Sequence, residues 1–206
     1  MRITSWNLLR RVGATASDVA TLIRLTEPDL LLMQEATHDI NDLPSLVGGT
    51  LHHRLLPNRV HGLAAWSPAP LPEPVYLPLP FDPGVVSGDR RFAMVLPLPG
   101  LTVVNVHLSH GQRLLRRQFQ AIAEAVDDPC AIIGDYNVVG PMLSPGWRDV
   151  GPLRPTHRAG GVLPVRLDRC LVRGLGVSGA GALVLPRGAS DHHPITIDVA
   201  VHPALA

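Results

Sequence analysis

Short apolar runs alternate with polar or turn-forming interruptions along the whole chain, a rhythm that predicts many short strands and few helices. Seven segments carry a continuous or alternating apolar pattern bounded by turn residues: Arg2 to Leu8, Asp29 to Gln34, Gly62 to Trp66, Phe92 to Leu98, Leu101 to Leu108, Ala131 to Gly134 and Leu167 to Val172. An eighth, Ile195 to Val201, completes the pattern. Only Pro99 and Gly100 separate the fourth segment from the fifth, a spacing that predicts an antiparallel hairpin. Helical spacing occurs twice. Thr15 and Asp18 form a capping-box pattern ahead of Val19, Leu22, Ile23 and Leu25, and Pro28 enforces the stop. Further on, Leu115, Phe119, Ile122 and Val126 step along one helical face, with Arg113, Arg116, Arg117, Gln120 and Glu124 opposite. Such a charged face reads first as a solvated one.

Two stretches fit neither template. Pro68 to Pro83 holds seven prolines and reads as a surface loop, and Gly140 to Pro164 is irregular and rich in Gly and Pro. Candidate catalytic residues lie on both sides of the proline-rich stretch, so residues 1–206 are read as a single domain. A chain of 206 residues supports its own core. The 46% hydrophobic and 17% charged composition excludes global disorder. No apolar run approaches the 18 or so residues of a membrane helix. Asn7 and Arg10 interrupt the start, where a signal peptide would need an apolar stretch, so a soluble, cytoplasmic protein is the expectation. Cys130 and Cys170 sit in apolar strand-like runs and read as reduced, buried fillers. A formal charge of +1 gives no general electrostatic attraction for nucleic acid, so any polyanion contact must be local. All 18 basic residues are arginine, which fits a compositional bias.

The informative polar residues stand at the ends of the apolar runs, where strands leave a sheet and side chains converge. Asn7 follows Ile3-Thr4-Ser5-Trp6, and Glu35 follows Leu30 to Gln34. A carboxylate ending a buried run must be exposed, paired or metal-bound. His107 ends Val103-Val104-Asn105-Val106. Asp135 and Asn137, two apart after Gly134, project to one side of an extended chain and suit the holding of one water, or a turn cap. Asp168 is a carboxylate inside an apolar strand, and Ser190-Asp191-His192-His193 precedes the last strand. A buried Asp beside a His fixes the tautomer and stabilises the charged ring. No Gly-x-Ser-x-Gly elbow supplies a serine nucleophile. The oxygen atoms of Asn7, Glu35 and Asp191 suit Mg²⁺ or Mn²⁺ better than Zn²⁺. His52, His53 and His61 form no zinc signature and read as loop residues.

Taken in order, this set resembles the endonuclease/exonuclease/phosphatase superfamily. The resemblance is carried by Ser5-Trp6-Asn7, Gln34-Glu35, Asn105-Val106-His107-Leu108, Gly134-Asp135-Tyr136-Asn137, Arg166-Leu167-Asp168 and Ser190-Asp191-His192. Weaker matches are Gly62 to Ser67 and Pro155-Thr156-His157. It implies a four-layer α/β sandwich, two packed mixed β-sheets flanked by helices, and a divalent-metal-dependent phosphodiesterase. Carried over by position, Glu35 is the main metal ligand, with Asn7 and Asp191 lining the metal site. Asp135, assisted by Asn137, orients or deprotonates water, His192 pairs with Asp168, and His107 donates to the scissile phosphate. Whether Asp135 or His192 takes the proton is left open by sequence. His107 stands where apurinic endonucleases carry tyrosine, as in the deoxyribonuclease and sphingomyelinase branches. The implied substrate is DNA or RNA, attacked as by a nuclease, or alternatively a small-molecule phosphoester. Aromatic residues make up only 4% of the chain, which leaves few platforms for base stacking. A silent binding module with the same fold is the remaining alternative. No protein partner is inferred.

Overall fold

The computed structural model describes residues 1–10, 12–82, 90–175 and 182–200. Its elements are β1 (Arg2–Asn7), α1 (Ala16–Thr26), β2 (Leu30–Ala36), a 3₁₀ turn (His38–Asp42), α2 (Leu43–Val47), β3 (Thr50–Leu55), β4 (Gly62–Ser67), β5 (Val75–Pro78), β6 (Phe92–Leu98), β7 (Leu101–His107), α3 (Gln112–Ala125), β8 (Cys130–Asp135), β9 (Arg148–Asp149), β10 (His157–Ala159), β11 (Leu163–Val165), β12 (Asp168–Arg173), β13 (Ala182–Val184) and β14 (Ile195–Asp198). Among the described residues these make two six-stranded sheets, β13-β14-β1-β2-β4-β3 and β5-β6-β7-β8-β12-β9, and a β10-β11 hairpin. Both six-stranded sheets are mixed: β1 runs parallel to β2 and β7 parallel to β8, while the other pairings are antiparallel.

Alternation along the strands builds the layers. In β2, Leu30 and Leu32 face the second sheet while Leu31 and Met33 face α1. In β8, Ala131 and Ile133 face inward while Cys130 and Ile132 meet Leu115, Phe119 and Ile122 of α3. Each sheet is therefore buried on both faces, which is why its central strands read as continuous apolar runs rather than as alternating ones. The result is a four-layer α/β sandwich, helix on sheet on sheet on helix. Thr15 caps α1 with the reciprocal Asp18 box, and Glu27 ends it in the left-handed region at φ 45° before Pro28. A cap of this type contributes about 1 kcal/mol.

Several elements depart from the pattern reading. The proline-rich stretch contains β5, an edge strand on β6, a position where missing N–H donors are tolerated. Gly140 to Pro164 contains β9, β10 and the start of β11, each of two or three residues and too short to show a period. His52 and His53 lie on β3, not in a loop; that edge strand is only half-buried and so carries no apolar alternation. His61, also expected in a loop, is buried just before β4. The last strand ends at Asp198, and Val201 and Pro83 lie outside the described residues. Cys130 and Cys170 are free and fully buried, and burial pushes the Cys130 thiol up to about 12. No described helix is long and apolar enough to cross a membrane.

Candidate active site

At one edge of the sandwich the ends of β1, β2, β7, β8 and β12 meet the segment before β14. Asn7, Glu35, His107, Asp135, Asn137, Asp191 and His192 line one cavity of about 250 Å³, together with Arg10, Arg91, His110 and His157. Asp168 stands behind it, buried and bonded to His192. Every site residue expected from the sequence is thus gathered at one place.

Backbone geometry aims these side chains. Glu35 sits at a bulge where the β2–β4 register shifts, with φ +53°, and Asn137 has φ +50°. Left-handed backbone costs a non-glycine residue roughly 1–2 kcal/mol, and such strain gathers where a side chain must leave the strand direction. Gly134 permits the close approach of β8 to β7, since a Cβ there would lie 2.0 Å from the Val106 carbonyl oxygen.

Asp135 is the hub. Its Oδ2 accepts from Asn7 Nδ2 at 3.0 Å and its Oδ1 from the Asn137 backbone N–H at 2.8 Å. His107 Nε2 lies 3.5 Å from Oδ2 and His192 Nε2 3.8 Å from it. Burial raises the Asp135 carboxyl above the usual range, against the opposing pull of His192. His192 Nδ1 meets Asp168 Oδ2 at 2.9 Å. Burial alone would lower its proton affinity, but Asp168 and Asp135 outweigh that and raise the ring to about 10. His107 is driven the other way, well below 6.5, by burial and then by the Arg91 and His192 charges. At neutral pH His192 is thus charged and His107 neutral.

Glu35 Oε2 accepts the Arg10 backbone N–H at 3.1 Å, while Oε1 lies 3.9 Å from His107 Nε2. That oxygen keeps lone pairs for a cation. Asp191 Oδ1 is buried without a hydrogen-bond partner. Asn7 Oδ1 accepts the Leu9 N–H at 3.2 Å and retains one lone pair. These donors fit a hard divalent ion held by few carboxylates and completed by water.

Three supports are not evident as such from the sequence. Gln34 Nε2 donates to Asn105 Oδ1 (2.7 Å) and Ser5 Oγ (3.0 Å), and Asn105 Nδ2 donates to the Met33 and Ala64 carbonyls, both at 3.0 Å. This buried amide pair ties the two sheets together just beneath Glu35 and His107. Thr156 Oγ1 accepts from the Leu167 and Asp168 N–H groups at 3.1 and 3.0 Å, and Ser190 Oγ donates to the Asn7 carbonyl at 2.6 Å. For the first pair a signal exists, as polar side chains inside otherwise apolar strands.

The Endonuclease/Exonuclease/phosphatase family model matches residues 4–192 and so spans all of these positions. The chain belongs to this family. Its members are metal-dependent phosphoester hydrolases. No curated protein matches the chain in sequence. A conserved protein of unknown function from Enterococcus faecalis is similar in structure, with TM-score 0.78, 20% identity, and 98% of this chain and 100% of that chain covered. The mannosyl-6-phosphatase Bt3783 of Bacteroides thetaiotaomicron is similar at TM-score 0.73 and 16% identity, over 97% of this chain and 99% of that one. Truncated Caenorhabditis elegans TDP2 is similar at TM-score 0.71 and 18% identity, over 95% of each chain.

Proposed function

We propose that this phosphoesterase hydrolyses a small or terminal phosphoester by in-line attack of water, with Asp135 as base and His192 as the charged group facing the phosphate. The observation that carries the mechanism is the Asp168–His192–Asp135 arrangement. A ring held protonated by two carboxylates cannot accept the water's proton, whereas a buried carboxylate with raised proton affinity can. Asn7 and the Asn137 backbone N–H fix both Asp135 oxygens, so the base points one way. The Asn137 amide donates to the Leu108 carbonyl at 2.9 Å and keeps a second N–H for a phosphate oxygen. Neutral His107 donates one hydrogen bond to the phosphate without adding a cation.

Glu35 and Asp191, with the Asn7 amide oxygen, would hold Mg²⁺ or Mn²⁺. Bound there, the ion supplies Lewis-acid neutralisation of charge on the phosphate oxygens. Arg10 and Arg91 are the arginines lining the cleft among the described residues, enough for one phosphate group.

The substrate reading rests on size and charge. The cleft is compact, and two of the α3 arginines are engaged elsewhere: Arg117 pairs with Asp82 at 2.7 Å, and Arg116 lines a different groove beside Phe119 and Trp147. Arg90 lies over the Phe81 ring at 4.9 Å. A nucleic-acid strand calls for a continuous basic track. The likeness to a mannosyl-6-phosphatase of matching length supports the same choice.

The test is hydrolysis of p-nitrophenyl phosphate, bis-p-nitrophenyl phosphate and supercoiled plasmid, each with Mg²⁺, Mn²⁺ or EDTA, with Asp135→Ala as the blank for contamination. Metal-dependent cleavage of a small ester with intact plasmid is the expected result. Plasmid nicking that the variant lacks would replace the small-ester reading with a nuclease.

A further inference from the structure

His157 lines the cleft, yet hydrolysis as described gives it no task. It begins β10 and forms an isolated backbone bridge with His192. The two rings lie against each other, with centroids 4.3 Å apart and planes at 42°. His157 Nδ1 is 3.8 Å from Asp191 Oδ2, beyond hydrogen-bond reach. That Nδ1 and Asp191 Oδ1 are both buried without a hydrogen-bond partner. A buried, unsatisfied imidazole nitrogen 3.8 Å from a carboxylate whose other oxygen is also buried and unsatisfied is costly unless a ligand joins the two residues.

One ligand atom from each of His157, Asp191 and His192 lies within 4.8 Å of the other two. Asp168 holds His192 Nδ1 and leaves Nε2 as the ligating nitrogen. A carboxylate behind an imidazole is the support that metal-binding histidines use to fix ring orientation. Metal–ligand bonds of about 2.0–2.1 Å put neighbouring donors roughly 3–4 Å apart, the span seen between His157 Nδ1 and Asp191 Oδ2.

We propose that His157, Asp191 and His192 form a binding site for a divalent transition ion of the Zn²⁺ class, separate in donor chemistry from the oxygen site at Glu35. Two imidazole nitrogens and one carboxylate select Zn²⁺ or Co²⁺ over Mg²⁺, which takes oxygen donors and keeps its waters. Asp191 is shared by the two sites and His192 is the charged group of hydrolysis. A transition ion bound here occupies the His192 nitrogen that faces the cleft and inhibits the enzyme. This inhibition rests on the phosphoesterase reading, whereas the binding does not.

The test titrates the metal-free full chain with Co²⁺, followed by its visible absorption, and with Zn²⁺, followed by calorimetry. One ion should bind with the bands of a four- or five-coordinate site. His157→Ala and Asp191→Asn should each weaken binding by at least about tenfold, while Glu35→Gln leaves it unchanged. Equal binding by folded His157→Ala, or loss of binding in Glu35→Gln alone, would overturn the site. A second measurement needs no variant: Zn²⁺, but not Mg²⁺, should protect His157 and His192 from diethylpyrocarbonate, read by peptide mass, and absence of protection overturns the proposal. In the hydrolysis assay, Zn²⁺ should inhibit, and His157→Ala should raise the inhibitory concentration at least about tenfold. An enzyme inert on every ester would defeat the phosphoesterase reading, and the binding measurements would still decide the site.

Discussion

The two sides of the cleft use the same side chain in opposite states. Around His107, at the end of β7, the backbone carbonyl accepts from Arg91 at 2.8 Å, and full burial of the ring, followed by the nearby positive charges, keeps it neutral. Around His192, before β14, the ring is buried to a similar degree, but Asp168 sits at 2.9 Å and Asp135 at 3.8 Å and hold it charged. Burial lowers proton affinity on both sides, so the carboxylates make the difference. Solvent exclusion thus sets the state of His107, and the paired carboxylates override it at His192. Asp135 lies between the two rings and serves both.

The strongest way to break this comparison is to remove its centre. Asp135→Ala should reduce kcat by at least about a hundredfold, the scale of a positioned base, in steady-state hydrolysis of whichever ester is cleaved. Retained turnover would transfer the base role elsewhere. The next effect sharpens the contrast. Asp168→Asn removes the nearest carboxylate from His192 and should cost about ten- to a hundredfold in kcat, while an NMR titration finds the His192 ring several-fold less proton-avid and His107 unchanged. Equal shifts in both rings would show that the two sides are not electrically separate.

Much of this arrangement is legible in the amino-acid sequence. Strand ends are where an apolar run stops, so Asn7, Glu35, His107 and Asp135 stand out by position, and their order along the chain points to the family. The two-sided burial of the sheets shows as uninterrupted runs such as Leu30 to Met33. What cannot be read there depends on contacts between distant segments. Arg169 is 2% exposed, yet it sits in a strand beside Asp168 and looks like any surface arginine. Its partners are Asp149 at 3.0 Å and the Gly140 carbonyl, both in the irregular stretch that it pins down. Nor can spacing show that Gln34 and Asn105, 71 positions apart, are hydrogen-bonded. Edge strands such as β3 and β5 give no periodic signal because neither face is fully buried. The opposite charge states of the two histidines are equally beyond sequence, since the groups that set them come from different strands.

A smaller effect concerns the metal side of the cleft. Glu35→Gln keeps shape but loses charge, and should raise the Mg²⁺ or Mn²⁺ concentration for half-maximal activity by about tenfold or more. An unchanged requirement would remove Glu35 from the ion's shell. The variant also tests His107 indirectly, since Glu35 Oε1 is 3.9 Å from its Nε2 and the two share one corner of the cleft.

The smallest effect is on stability, and it separates the two rings by sign. His192 binds its proton more tightly folded, at about 10, than unfolded, near 6.5. Its contribution is therefore complete below about pH 6.5 and is lost as pH rises toward about 10. His107 has the reverse linkage: its folded proton affinity is depressed, so its contribution holds above about pH 6.5 and is lost as pH falls below that. Each tenfold difference in proton affinity is about 1.4 kcal/mol, and about 1 kcal/mol moves Tm by roughly 2–4 °C in a chain of this size. In EDTA, His192→Gln should flatten the decline of Tm on the alkaline side by several degrees and leave the acid side as it was. His107→Gln should flatten only the acid side. If both variants altered the same side, the two imidazoles would share one charge state, and the division of labour across the cleft would fail with it.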